Sequence, residues 1–236
     1  MIRAYNHTVT AAGYGCVSFR TGAFHMMENW YFILELAGTA AFAVSGAMTA
    51  VEMKMDLFGA AILGMTTACG GGIIRDMILG LTPPKAFRDP VYAITAIVIS
   101  LLVFQPFVRK YLHKQQGIYD RLLQTMDTIG LAIFTMTGIE TAMSYTAKPS
   151  LFLAVFVGVL TGTGGGVLRD LFANRTPVIF RKYFYASASL CGALVCVLLW
   201  GWLGHLLAVA VGGCVILVLR FLAARYRWDL PPAKEF

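Results

Sequence analysis

Cys69-Gly70-Gly71-Gly72-Ile73-Ile74-Arg75-Asp76 and Thr163-Gly164-Gly165-Gly166-Val167-Leu168-Arg169-Asp170 are two copies of one pattern: three glycines, two apolar residues, then Arg-Asp. The match continues outward on both sides. In the same register Gly64 meets Gly158, Ala68 meets Gly162, Thr82 meets Thr176 and Pro83 meets Pro177. Upstream, after a small insertion, Glu35 meets Asp127, Gly38 meets Gly130, Phe42 meets Phe134, Ser45 meets Thr137 and Gly46 meets Gly138. An ordered set of this length is an internal duplication.

The solvent for this duplication is lipid. Of 236 residues, 58% are hydrophobic and only 13% are charged, where a soluble domain has about a quarter charged. A membrane helix needs about 20 mostly apolar residues. Seven stretches qualify: 30–51, 57–80, 90–108, 122–145, 150–173, 183–203 and 205–224. The fold class is therefore an all-α integral membrane protein with seven transmembrane helices. Residues 30–112 form the first three-helix repeat and 120–203 the second. A seventh helix covers 204–228, and 229–236 is a cytoplasmic tail. Residues 1–29 lack a continuous apolar core and read as a poorly ordered leader rather than a signal peptide.

Three helices per repeat is an odd number, so the second copy enters the membrane from the opposite side. Such inverted repeats place a substrate or ion path at the repeat interface. Five Lys and Arg fall on the face holding the leader and the loops near 85, 148 and 204; twelve fall on the other face. The basic face is cytoplasmic, so the N-terminus is outside and the C-terminus inside. The net charge of +7 follows from these loops and not from a nucleic-acid surface, which would interleave basic and aromatic residues on one face.

The candidate site residues are the repeated ones. Each glycine lowers helix propensity by about 1 kcal/mol relative to alanine, so Gly70, Gly71, Gly72 and Gly164, Gly165, Gly166 predict a break or kink in helices two and five. Irregular backbone at membrane depth survives only against protein or a water-filled cavity. Lining of an ion path and close helix packing by small-xxx-small stripes both fit these glycines. Arg75, Asp76, Arg169 and Asp170 follow one turn later and serve either an ion path or a structural ion pair. Glu35 and Asp127, placed in the first turns of helices one and four, are either pore-mouth acids or carboxylates stabilised by the helix dipole. Ser45 and Thr137 are expected to bond to their own helix backbone.

Metal and cofactor sites are not expected: Cys16, Cys69, Cys191, Cys196 and Cys214 form no CxxC pair, and the four histidines do not cluster. The phosphate-loop pattern GxxxxGK[ST] is absent. With no nucleophile–base pair, catalysis is not expected either.

The doubled GGGxxRD pattern resembles the trimeric intracellular cation channel (TRIC) family and its prokaryotic relatives, whose repeat also carries the label of a glycine-transporter domain. Leu36-Ala37-Gly38-Thr39-Ala40-Ala41-Phe42-Ala43-Val44-Ser45-Gly46-Ala47, Met55-Asp56-Leu57-Phe58-Gly59 and Trp228-Asp229-Leu230-Pro231 fit that pattern too. The resemblance implies a homotrimer in the plasma (inner) membrane, in contact with lipid, with a monovalent cation pore in each protomer. Potassium would be the principal ion, and glycine-kinked helices two and five would line the path. The family's second label keeps a secondary transporter of glycine or another small amino acid as the alternative.

Overall fold

The computed structural model describes residues 21–108, 116–145, 150–180, 184–226 and 228; of residues 21–29 and 116 it describes the backbone alone. Leader residues 1–20, with Cys16, lie outside that set, as do Arg109, Lys110, Lys114, Lys148, Arg181, Lys182, Arg227 and Lys234. The main elements are α1 (Thr21–Glu52), α2 (Leu57–Ile78), α3 (Val91–Phe104), α4 (Gln116–Tyr145), α5 (Leu151–Phe172), α6 (Tyr185–Leu203) and α7 (His205–Tyr226). One helical turn, Lys85–Arg88, precedes α3, and a 3₁₀ turn, Val178–Phe180, precedes α6.

Six of these helices, all but α3, are long and apolar enough to cross a membrane. Expected over 90–108, α3 has 14 residues in its unbroken stretch, about 21 Å at 1.5 Å per residue, and helical backbone resumes over 106–108 after a break at Gln105. The reason is Pro106. A residue before proline is pushed out of the helical region, and Gln105 is extended at φ −54° and ψ 140°. At the other end of the chain, α1 begins at Thr21 rather than at residue 30, so the last part of the expected leader is helical backbone.

Caps and turns repeat as the sequence does. Asp56 caps α2 by accepting from the Gly59 amide at 2.7 Å, and Ser150 caps α5 by accepting from Leu153. Gly80 and Asn174 end the two motif helices in left-handed conformations, φ 71° and 52°, which glycine and asparagine adopt most readily.

Within the first repeat α1 packs on α2 and α3; across the repeats α1 packs on α4 and α2 on α5. Helix α7 packs on α6 and α4 and has no counterpart in the first repeat. At the centre the Phe42 and Phe134 rings stack with centroids 5.2 Å apart. Each lies over the equivalent glycine of the other repeat: a Cβ on Gly130 would come within 2.2 Å of the Phe42 ring, and one on Gly38 within 3.2 Å of the Phe134 ring.

The helices are not broken at the triple glycines. Both α2 and α5 run as continuous helix through them. Low propensity is overridden by packing: α2 and α5 meet backbone to backbone there, with a Gly71 Cβ position 2.2 Å from the Thr161 carbonyl oxygen and a Gly165 Cβ position 2.2 Å from that of Thr67. Those two threonines are themselves tied down, each hydroxyl donating at 2.6 Å to the carbonyl four residues back.

Candidate functional site

Each Arg-Asp pair anchors a buried charge cluster, one per repeat. In the first, Arg75 Nε donates to Asp76 Oδ1 at 2.8 Å, and Arg75 Nη1 lies 3.6 Å from Glu35 Oε1. Glu35 Oε2 also accepts from the Tyr92 hydroxyl at 2.7 Å and from Lys85 Nζ. In the second, Arg169 Nε donates to Asp170 Oδ1 at 2.9 Å, and Arg169 Nη1 donates to Asp127 Oδ1 at 2.6 Å. The same Nη1 donates to Ser45 Oγ of α1, in the other repeat.

The aspartates do a second job. Asp76 Oδ2 accepts from the Lys85 amide at 2.7 Å, and Asp170 Oδ2 from the Val178 amide at 2.9 Å. Each aspartate thus fastens the loop after its helix and holds the arginine in place. The next helix then brings in a tyrosine, Tyr92 on α3 and Tyr185 on α6. Lys85 Nζ sits 5.1 Å from the Tyr92 ring centroid, and the Arg220 guanidinium 4.6 Å from that of Tyr185. The first cluster draws its second cation from its own loop. In the second, the Arg220 guanidinium of α7 lies over the tyrosine ring instead.

Burial makes this pairing necessary. Arg75, Asp76, Asp127, Arg169, Asp170 and Arg220 are each at most 4% exposed. An unpaired ion at such depth costs several kcal/mol. Each arginine set between two carboxylates, with Lys85 added on Glu35, offsets much of that cost.

Glu35 and Asp127 are well inside α1 and α4, more than two turns from either start. The helix-dipole reading of these acids is therefore overturned. Both helices extend beyond their apolar runs, because an apolar run marks the span of lipid and not the end of the helix. Ser45 is a second correction: its hydroxyl takes a guanidinium rather than serving only its own helix. Thr137 does bond locally, to the Phe134 carbonyl at 3.4 Å.

The glycines divide by position. Gly71 and Gly165 form the α2–α5 contact. Gly70 and Gly164 also face the other helix: a Cβ on Gly70 would meet Leu168 at 2.4 Å, and one on Gly164 the Gly71 Cα at 3.3 Å. Gly72 and Gly166 face the charges. A Cβ on Gly72 would meet only Arg75 Nη2, at 4.0 Å, and one on Gly166 would sit 3.0 Å from the Tyr185 hydroxyl. The structure therefore makes two clusters, each with one glycine beside it, and no gap between Gly71 and Gly165.

Two cavities adjoin the first cluster. A vestibule of about 590 Å³ is lined by Glu35, Lys85, Glu140, His205, Tyr31 and the Thr137–Tyr145 face of α4. Beyond it, a space of about 30 Å³ is bounded by Glu35, Thr39, Cys69, Gly72, Arg75 and Phe134, close to the volume of one water. Sequence reading missed Tyr92, Tyr185, Lys85, Arg220 and Glu140. The two tyrosines had a readable signal, since each follows its repeat's Thr-Pro at similar spacing, Tyr92 nine residues after Pro83 and Tyr185 eight after Pro177. Among the described residues no His, Cys, Asp or Glu group is arranged to hold a metal.

A family model described as glycine transporter matches the chain twice, over residues 32–106 and 124–201. The UPF0126 inner membrane protein YadS of Escherichia coli K12 is 36% identical over 208 residues, covering 87% of this chain and 96% of that protein. Among solved structures, the TRIC trimeric intracellular cation channel orthologue from Rhodobacter sphaeroides superposes with a TM-score of 0.76 at 33% identity, covering 84% of this chain and 98% of that one. Another TRIC cation channel superposes at 0.74 with 36% identity, covering 86% and 97%. These solved relatives are channels and not enzymes, and the chain is likewise a non-catalytic, multi-pass membrane protein.

Proposed function

The chain belongs to the TRIC and UPF0126 family, and from that premise we propose that it is a monovalent cation channel, conducting chiefly potassium, with one path in each protomer of a homotrimer. One observation carries this reading: two neutralised charge clusters lie buried on opposite halves of the repeat interface, and Arg169 crosses it to Ser45. Charged groups inside a membrane protein mark ion pathways. The path enters at the vestibule beside Glu35 and Glu140, passes Gly72 and Arg75, and leaves beside Gly166, Arg169 and Asp127. It runs along α2 and α5 with α1 and α4 alongside, rather than between Gly71 and Gly165. Carboxylates and hydroxyls on this route replace part of a cation's hydration shell. Pairing of each arginine with its aspartate lowers the barrier that a bare guanidinium would raise.

A second reading is a secondary transporter of glycine or another small amino acid. It is favoured by the vestibule, which places the acidic side chains of Glu35 and Glu140 and the ammonium of Lys85 around one space, as a zwitterion requires. Purified protein in a planar bilayer with potassium chloride separates the two. Unitary currents are expected; saturable glycine uptake without currents would overturn the channel reading in favour of the carrier.

A further inference from the structure

The two repeats are alike in their clusters and unlike in what lies beyond them. On α4, the positions Thr137, Glu140, Thr141, Ser144 and Tyr145 line the vestibule, together with Leu81 from the loop after α2. Continuing the register that pairs Ser45 with Thr137, the equivalents on α1 are Ser45, Met48, Thr49, Glu52 and Met53. The equivalent of Leu81 is Arg175, after α5. On this side the same positions are engaged with one another. Arg175 Nη2 lies 2.8 Å from Glu52 Oε1, and Arg175 Nη1 donates to Glu52 Oε2 at 3.0 Å. Arg175 also reaches Met53 Sδ at 3.0 Å. The Tyr119 hydroxyl, from the start of α4, donates to the Met48 carbonyl at 2.6 Å and lies 3.2 Å from Glu52 Oε2. Ser45 is held by Arg169, and Thr49 by its bond to the Ser45 carbonyl.

We propose that Glu52, Arg175 and Tyr119 form a lock that closes the mouth of the pathway on the Asp127 side, so that this structure is accessible from the Glu35 side and shut on the other. The lock joins parts that must separate for that mouth to open: the α1–α2 corner of one repeat, and the start of α4 and the loop after α5 of the other. A bidentate Arg–carboxylate pair fixes geometry as well as attracting. It is also half-buried, so it can be broken and remade without stranding an ion in lipid. Each repeat supplies one half of the closure: Glu52 of the first stands where the second has Ser144, and Arg175 of the second stands where the first has Leu81. This proposal rests on the pathway described above, whether that pathway serves a channel or a carrier.

The test is cysteine accessibility from each side, with the parent protein as the background for the native cysteines. Thr141→Cys, in the vestibule, should react with a membrane-impermeant maleimide from the Glu35 side. Thr49→Cys, its buried equivalent, should be protected from the Asp127 side. Adding Glu52→Gln or Arg175→Gln should raise Thr49→Cys labelling about fivefold, the order expected when a partly exposed bidentate pair is lost from a two-state equilibrium. The exchanged pair Glu52→Arg with Arg175→Glu should restore protection. Labelling of Thr141→Cys in the same variants reports that the fold is intact. Equal labelling of Thr49→Cys with and without the lock, at either a high or a low rate, would overturn the proposal. The readout needs no current, so a parent without unitary currents that keeps this labelling pattern would sink the channel reading and leave the lock standing.

Discussion

Gly71 and Gly165 meet across the α2–α5 crossing, each with its bare Cα against a backbone carbonyl of the opposite helix, that of Thr161 for Gly71 and that of Thr67 for Gly165. Backbone cannot withdraw as a flexible side chain can, so a methyl at either glycine must push the helices apart. Gly71→Ala and Gly165→Ala should each destabilise the purified protein by at least ~2 kcal/mol, in the upper part of the range for overpacking. Gly72→Ala is the control. Its methyl meets only Arg75 Nη2 at 4.0 Å, and the helix gains up to about 1 kcal/mol of propensity. Thermal unfolding in one detergent checks this; equal melting of the three variants would show that the crossing tolerates separation.

The duplication, the helix order and the pairing of each arginine with its aspartate were legible because they are written locally and twice. The continuity of α2 and α5 was not. Propensity is a weak prior, and only the structure shows that Thr67 and Thr161 carbonyls press on the glycines. Glu35 and Asp127 were assigned to first turns because an apolar run marks where lipid begins, not where a helix begins. The bond of Ser45 to Arg169 and the roles of Lys85 and Arg220 were not legible for a third reason. Each joins its cluster from a different helix or loop, and no spacing in the chain records that contact.

Topology follows from the loops. With twelve basic residues on one face and five on the other, the C-terminus is expected in the cytoplasm. A phosphatase fused after Phe236 should be inactive and a fluorescent protein there bright. Periplasmic phosphatase activity would reverse the assignment, and with it which side the Glu52–Arg175 pair closes.

Assembly should be a homotrimer of closed three-fold symmetry. Native mass spectrometry of protein released from detergent should give three copies as the dominant species. A monomer or dimer dominating across several detergents would refute it.

The two arginines should not be equally replaceable. Arg169 is the bond partner of both Asp127 and Asp170, so Arg169→Gln leaves two buried carboxylates facing the space of a missing cation. Removing one partner from a buried ion pair costs about 3–5 kcal/mol, and that loss is expected in the melting of Arg169→Gln. Arg75→Gln is milder, because Glu35 keeps the Lys85 ammonium and the Tyr92 hydroxyl. Its destabilisation should be less than half as large, leaving folded protein whose unitary conductance can be read. That conductance should change, since Arg75 borders the narrow space beyond the vestibule. Adding Asp127→Asn to Arg169→Gln should recover part of the lost stability by removing the stranded charge. If Arg75→Gln melts as low as Arg169→Gln, or if Asp127→Asn rescues nothing, Lys85 is not acting as the first cluster's second cation and the clusters hold together by packing rather than charge.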